Sequence, residues 1–306
     1  MTIILLLSGL LALSVAAALL MLRRTGARAE RESLLRLPVG DDGFIAGAQE
    51  IEMPRSAPGS PAVLLLHGGG DTPQTLRHLA EYLYDRGYAV HVPLLPGHGR
   101  TVRDFAAVNA DAWIEAVRLH FRTLRDRHEW TAVVGLSMGG ALAVQLAAET
   151  PDLPALGLLA PYLAMPRHVQ RAARWAPLWG MVVPYVPAVS QGQGRSIHDP
   201  VESAQSLAYG VFAARALHAL WVTVQRAIDA SPRVTTPTLM VQSREDNRIS
   251  VAEGQRAFDR LGAREKRLVW TEGAGHVITV DYGRERVFEL LGEWLESRRQ
   301  LRQAIA

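Results

Sequence analysis

Gly135-Leu136-Ser137-Met138-Gly139 separates a continuous apolar run, Thr131 to Gly135, from an apolar stretch that includes Ala141, Val144 and Ala147. A serine in a strand-to-helix turn so tight that its flanks tolerate only glycine is pushed above the carboxyl edge of a sheet, over a helix N-terminus that favours negative charge. Its hydroxyl is a poor nucleophile until a base takes its proton, so a histidine is expected after a later strand. Among the 10 histidines, His276 in Gly273-Ala274-Gly275-His276 follows the run Arg267 to Thr271 and precedes the last helix. His67 and His98 lie beside glycines ahead of the serine, while His120, His128 and His218 fall on helical stretches. The imidazole needs a carboxylate to orient it and to stabilise its charged form. Asp246 lies just beyond the run Thr238 to Gln242, with Glu245 next to it. Ser137, Asp246 and His276 thus each follow a strand of their own.

Acyl transfer through a tetrahedral intermediate also needs two backbone donors for the oxyanion. One is expected to be the N–H of Met138. The other is expected from His67-Gly68-Gly69-Gly70, directly after the apolar run Ala62 to Leu66, with Gly69 the first choice and Gly68 the second.

The elements that must position these groups alternate. Strands are expected at Ala62 to Leu66, Tyr88 to Val92, Thr131 to Gly135, Ala155 to Leu159, Thr238 to Gln242 and Arg267 to Thr271. Helices are expected between Thr72-Pro73 and Gly87, over Ala110 to His128, after Ser137, and over Val251 to Leu261 and Gly283 to Arg298. Continuous apolar strands separated by amphipathic helices predict a doubly wound, mainly parallel sheet. Some seventy residues between Ala160 and Pro237 are too many for a crossover and read as an inserted helical cap over 162–232. Asp199-Pro200 opens one cap helix, Tyr209-Gly210 is a break, and Ala213 to Ile228 forms another helix. Trp175 and Trp179, with Leu178, Met181, Val182 and Val183, are candidates to line a slot for an acyl chain.

Leu66-His67-Gly68-Gly69, Pro93-Leu94-Leu95-Pro96-Gly97-His98-Gly99, the serine pentapeptide and Gly275-His276-Val277-Ile278-Thr279 together resemble the bacterial carboxylesterase and monoacylglycerol lipase branch of the α/β hydrolases. The resemblance spans Gly40 to Arg298. It implies an α/β-hydrolase core over 40–161 and 233–306, Gly69 as oxyanion donor, Asp246 as the acid, and serine esterase activity on a small acyl ester with neither metal nor organic cofactor. Two positions depart from the branch: Ser243 stands where it usually has glycine, and its hydrophobic, proline-rich motif after the acid reads Asn247-Arg248-Ile249. The same fold hosts aminopeptidases and thioesterases. A membrane-tethered binding module without catalysis is a further alternative, which a complete triad argues against.

Composition narrows the chemistry. The 306 residues contain no cysteine, which removes thiolate nucleophiles, disulfides and cysteine metal sites. The net charge of +3 comes mainly from arginines scattered along helices, a pattern that does not suggest nucleic acid as a partner. Ile3 to Leu22 is almost unbroken apolar sequence, long enough to cross a hydrocarbon core of about 30 Å. A transmembrane anchor over 1–22 is expected, followed by a juxtamembrane helix or linker over 23–39. A cleaved secretory signal is the competing reading, since Ala27-Arg28-Ala29 has a small-x-small pattern. Against it, no Lys or Arg precedes the run, and Arg23 and Arg24 separate it from that site. With Arg23, Arg24, Arg28 and Arg31 all after the span, the charge bias predicts a single-pass protein whose catalytic domain is cytoplasmic.

Overall fold

The computed structural model describes residues 2–56, 59–187 and 196–305. Parts of the turn-rich loop over Pro54 to Pro61 and of the insertion over 162–232, namely 57–58 and 188–195, lie outside the described residues. The strands are β1 (Ile51–Met53), β2 (Ala62–Leu66), β3 (Ala89–Val92), β4 (Thr131–Leu136), β5 (Leu156–Leu159), β6 (Tyr185–Pro187), β7 (Val211–Ala213), β8 (Thr238–Ser243) and β9 (Lys266–Thr271). The helices are α1 (Thr2–Arg36), α2 (Arg77–Asp85), α3 (Val102–Ala107), α4 (Ala110–Arg125), α5 (Met138–Glu149), α6 (Arg167–Trp179), α7 (Pro200–Gln205), α8 (Ala214–Ala230), α9 (Val251–Arg260) and α10 (Arg284–Ile305).

Seven strands form the main sheet in the order β1-β3-β2-β4-β5-β8-β9. β1 runs antiparallel to β3, and all other neighbours in this sheet are parallel. The chain steps from β2 outward to β3 and then returns to the other side of β2 with β4. This reversal opens a crevice at the carboxyl ends of β2 and β4, where open α/β sheets hold their ligands.

The apolar strand sequences follow from burial on both faces. In β2, Leu64 and Leu66 pack with Trp113, Val117 and Leu142 on one side, while Val63 and Leu65 meet Leu79, Leu83 and Leu291 on the other. All five residues of β2 are fully buried. A strand with no solvent face has no use for alternation.

The insertion between β5 and β8 is helical, as expected, but also contains a two-stranded antiparallel ribbon, with Tyr185 opposite Ala213 and Pro187 opposite Val211. Strands of three residues are too short to leave a periodic signal. Long α8 packs against both α5 and α6. The facing surfaces are small: Ala216, Ala219, Ala227 and Ala230 of α8 share one core with Ala141, Ala143 and Ala147 of α5. Buried Gln145 of α5 ties the two helices, its amide donating to the Thr223 carbonyl at 3.1 Å. Glu202 of α7 fastens the insertion to the core, receiving Arg77 and, at 3.2 Å, Arg284, with the His78 ring at 3.0 Å.

α1 is one continuous helix, long and apolar enough to cross a membrane. Leu10, Leu11, Leu13, Val15 and Leu20 are all exposed. The segment read as juxtamembrane helix or linker is helical to Arg36 and is docked. Gly26 lies against the ribbon so closely that a Cβ there would stand 1.8 Å from the Tyr185 carbonyl oxygen. Glu30 accepts from Arg103 at 2.6 Å, Arg36 donates to the Ser206 carbonyl at 3.1 Å, and Ser33 and Leu37 are buried. Removing Met1 to Leu22 should therefore leave Tm nearly unchanged, whereas removing residues 1–36 should lower it by several degrees, on the scale of about 2 kcal/mol of lost burial and pairing. Equal Tm values for the two truncations would show that the docked half of α1 contributes nothing.

Candidate active site

Ser137 follows β4 and caps α5 with φ 53° and ψ −116°, one of two non-glycine residues with positive φ among the described residues. Such a conformation costs on the order of 1–3 kcal/mol and persists only where the surroundings impose it. Here the neighbours do. A Cβ on Gly139 would lie 2.1 Å from the Leu66 carbonyl oxygen, so a side chain there would drive α5 away from the end of β2. The turn is also pinned from below, since the Ser137 amide donates to the Leu159 carbonyl at 3.1 Å.

His276 and Asp246 converge on this serine. His276 Nε2 is 2.8 Å from Ser137 Oγ, and its Nδ1 is 2.7 Å from Asp246 Oδ2. The Asp246 side chain is fully buried and that of His276 is 8% exposed, so the chain of hydrogen bonds is shielded from water. Burial alone would push the Asp246 carboxyl up. The His276 imidazole and the backbone amides of Arg248 and Ile249 outweigh it and hold the carboxyl below its usual range. Those amides reach Asp246 Oδ1 at 2.7 and 3.0 Å, and Gln242 Nε2 donates to Oδ2 at 2.5 Å. Glu245, left open by the spacing alone, points elsewhere: its carboxylate is half exposed and accepts the Gly273 amide at 2.7 Å. Ser243, at the departure from the resembling branch, donates its hydroxyl to the Ala274 carbonyl at 2.5 Å and accepts the Glu245 amide at 3.1 Å. It closes the acid loop onto the histidine loop.

The glycine-rich loop after β2 lies beside the serine. Gly68 faces the Ser137 side chain and Gly69 faces Met138, where added Cβ atoms would stand 3.4 and 3.0 Å from Ser137 Cβ and Met138 Sδ. Met138 opens α5, so its N–H has no acceptor one turn back in the helix. The Gly70 amide is taken by His98 Nε2 at 3.1 Å, which leaves Gly69 as the loop residue next to the helix start.

Three residues that the spacing did not mark hold these loops. His67 is fully buried, accepts the Leu95 amide on Nε2 at 3.1 Å and donates from Nδ1 to the Gly68 carbonyl at 2.9 Å. His98 packs edge-on against it at 4.8 Å between ring centres, and together they join the two glycine-rich loops. Asp281 is buried, and its carboxylate accepts four backbone amides, from His198, Asp199, Gly275 and Tyr282, at 2.7 to 2.9 Å. It locks the residue before His276 to the part of the insertion just ahead of α7. The visible signal for these residues was an otherwise unexplained His or Asp inside an apolar or glycine-rich setting.

A cavity of about 160 Å³ opens beside Gly69, Gly70 and Met138, walled by Phe105, Tyr209, Val211, Phe212, Leu217 and Leu220. Trp175 and Trp179 do not line it. Trp175 is 56% exposed on α6, and Trp179 turns its indole back to the Ala172 carbonyl at 2.8 Å. The apolar wall comes instead from α8 and the stretch Ala208 to Phe212, because α8 is the insertion helix that lies on α5.

The sequence family described as serine aminopeptidase, S33 (Hydrolase_4) matches residues 58–282. The chain belongs to this α/β-hydrolase family. A carboxylesterase of Bacillus subtilis (strain 168) is 28% identical over 242 residues, covering 78% of this chain and 93% of that protein. A thermostable monoacylglycerol lipase of Bacillus sp. (strain H-257) is 28% identical over 231 residues, covering 76% and 88%. A solved structure of the metagenome-derived lipolytic enzymes LipS and LipT superposes with a TM-score of 0.73 at 29% identity, covering 83% of this chain and 99% of that one. Monoacylglycerol lipase from Paleococcus ferrophilus shares the fold, with a TM-score of 0.67 at 20% identity over 81% of this chain and 98% of that one.

Burial drives His67 down to about 4 from 6.5 and, with His67 as neighbour, takes His98 well below that ordinary value. The unfolded chain therefore binds protons that the folded loops refuse, and stability falls as pH drops below about 6.5. Asp71, at the end of the glycine loop, acts in the opposite sense. Burial pushes its carboxyl up to about 6 from 3.8, so its share of stability rises as pH falls through that interval. With burial lowering His91 and His120 in the same sense as His67 and His98, the net expectation is a loss of stability between pH 7 and pH 5. Asp71→Asn removes the opposing contribution and should deepen that loss by about 1 kcal/mol in denaturant unfolding. A pH dependence no steeper in the variant would contradict the assignment.

Proposed function

We propose that this protein hydrolyses carboxylic esters through an acyl-enzyme on Ser137. The observation that carries the reading is the buried hydrogen-bond chain from Asp246 through His276 to a serine held in a strained elbow. Ser137 Oγ attacks the ester carbonyl while His276 Nε2 takes its proton, and the tetrahedral oxyanion receives the amides of Gly69 and Met138. Collapse expels the alcohol, which carries away the proton from His276. Water then enters, gives a proton to the imidazole, attacks the acyl carbon and releases the acid, restoring the serine hydroxyl. The groups named supply all the protons moved, so no metal or organic cofactor is called for.

Esters rather than peptides are favoured by the cavity. An aminopeptidase must pair the α-ammonium of its substrate with a carboxylate or carbonyl array, because an unpaired charge in a partly dry site is costly. Among the described residues no Asp or Glu lines this cavity, and Arg248 is its one charged residue. The apolar wall suits an acyl chain. The activities named for the two Bacillus relatives and for LipS and LipT agree with that chemistry. Ser137→Ala should lower kcat by on the order of 10⁶ and abolish fluorophosphonate labelling of the folded protein. Asp246→Asn should cost about 10⁴, far more than Glu245→Gln. Near-normal ester turnover by Ser137→Ala, or greater damage from Glu245→Gln, would overturn the assignment.

We also read residues 1–22 as a membrane anchor, 40–161 with 233–306 as the catalytic core and 162–232 as its cap. Arg23, Arg24, Arg28 and Arg31 follow the span directly, and basic residues beside a span are retained on the cytoplasmic side. Protease added to intact cells should therefore leave the catalytic domain uncut. Its degradation without lysis, or a mature chain beginning near Glu30, would instead indicate export.

A further inference from the structure

Arg248 lies in the stretch Asn247-Arg248-Ile249 after the acid, and the hydrolytic reaction gives its side chain no part. It is half-buried and, among the described residues, the sole charged residue lining the cavity beside Gly69 and Met138. Its Nε donates to the Ser196 hydroxyl at 3.3 Å, and among the described residues it is paired with no carboxylate. Residues 188–195, between β6 and Ser196, contain neither Asp nor Glu. Asp71, the nearby acid of the glycine loop, does not line the cavity. A guanidinium at the lip of an apolar hole, with nothing ionic to pair it, loses hydration without recompense and presents a planar fork of donors.

Its place relative to the reacting groups fixes which end of a substrate it would meet. The Arg248 guanidinium is bound at 3.3 Å to the Ser196 hydroxyl, and the Ser196 carbonyl accepts the amide of Val277, the residue after His276, at 2.9 Å. Arg248 therefore belongs to the imidazole side of the site. His276 hands its proton to the leaving alcohol, so that side receives the alcohol half, while the apolar wall of Phe212, Leu217 and Leu220 takes the acyl half.

We propose that Arg248 selects acyl esters whose alcohol portion carries an anionic oxygen group, a phosphate or a carboxylate. This inference rests on the ester-hydrolase reading above and specifies its substrate class. A carboxylate or phosphate matches the guanidinium fork two bonds at a time, and a charge-assisted pair of this kind is worth about tenfold or more in transition-state binding.

The test uses purified full-length protein in neutral detergent and three esters of one short acyl chain: 1-octanoyl-glycerol, its 3-phosphate and the octanoyl ester of glyceric acid. The wild type should show kcat/KM at least about tenfold higher for one or both anionic esters than for the neutral one. Arg248→Gln should lower that ratio by about tenfold or more, and Arg248→Lys should keep part of it, because a point charge replaces the fork. A response to the phosphate alone identifies a phosphorylated alcohol as the substrate, and a response to both anions identifies the shared charge as the feature read. A wild-type ratio at or below one for both anions, or a ratio unmoved by Arg248→Gln, overturns the proposal. Fluorophosphonate labelling and turnover of 1-octanoyl-glycerol report the triad separately. If both are absent, the ester-hydrolase reading falls and this inference with it; if both persist without anion preference, only the role of Arg248 falls.

Discussion

The constraint on which the catalytic site depends is the approach of α5 to the end of β2. Gly139 lies so near the Leu66 carbonyl that no side chain fits, and that proximity bends the chain at Ser137 into a conformation serine seldom adopts. Two things follow. The hydroxyl is raised clear of the sheet, and the first amide of α5 is brought beside the loop that β2 releases. Nucleophile and oxyanion donors are products of one backbone contact, so their relative placement is as stiff as the central sheet.

The rest of the site is held by polar groups that do no chemistry. His67 and His98 are neutral wedges whose ring nitrogens take the amides and carbonyls that glycine-rich loops leave unpaired. Asp281 does the same for the histidine loop with four amides. Tyr209 reaches from the insertion, its amide to the Gly70 carbonyl at 3.3 Å and its hydroxyl to the Gly97 carbonyl at 3.3 Å. Loops that carry reacting groups need little side chain of their own, and their rigidity is supplied from outside.

The legible part of the chain was whatever repeats or is sterically forced. Strands buried on both faces announce themselves as Ala-Val-Leu-Leu-Leu, and the elbow announces itself through its glycines. The order of Ser137, Asp246 and His276, each after a strand, left the carboxylate open between Asp246 and Glu245, and the side-chain bonds to His276 and Gln242 distinguish Asp246. The ribbon of the insertion left no trace because six residues carry no period. Trp175 and Trp179 look like pocket residues by type alone. Which face of α6 turns inward depends on where α8 lies, and that is set by alanines whose significance appears only when two helices are seen to touch.

α1 runs without interruption from its apolar first half into the half docked on the ribbon and on Arg103. An unbroken helix has no hinge. Docking begins at Gly26, so at about 1.5 Å of rise per residue only about 6 Å of helix beyond Leu22 separates the apolar half from the folded body. A body carried on so short a strut cannot swing or reach as one on a slack tether would. With residues 1–22 as the anchor we propose, the body would be held at one height over the lipid, the mouth of the cavity would sweep a plane, and encounters with substrate would become a matter of lateral diffusion within that plane.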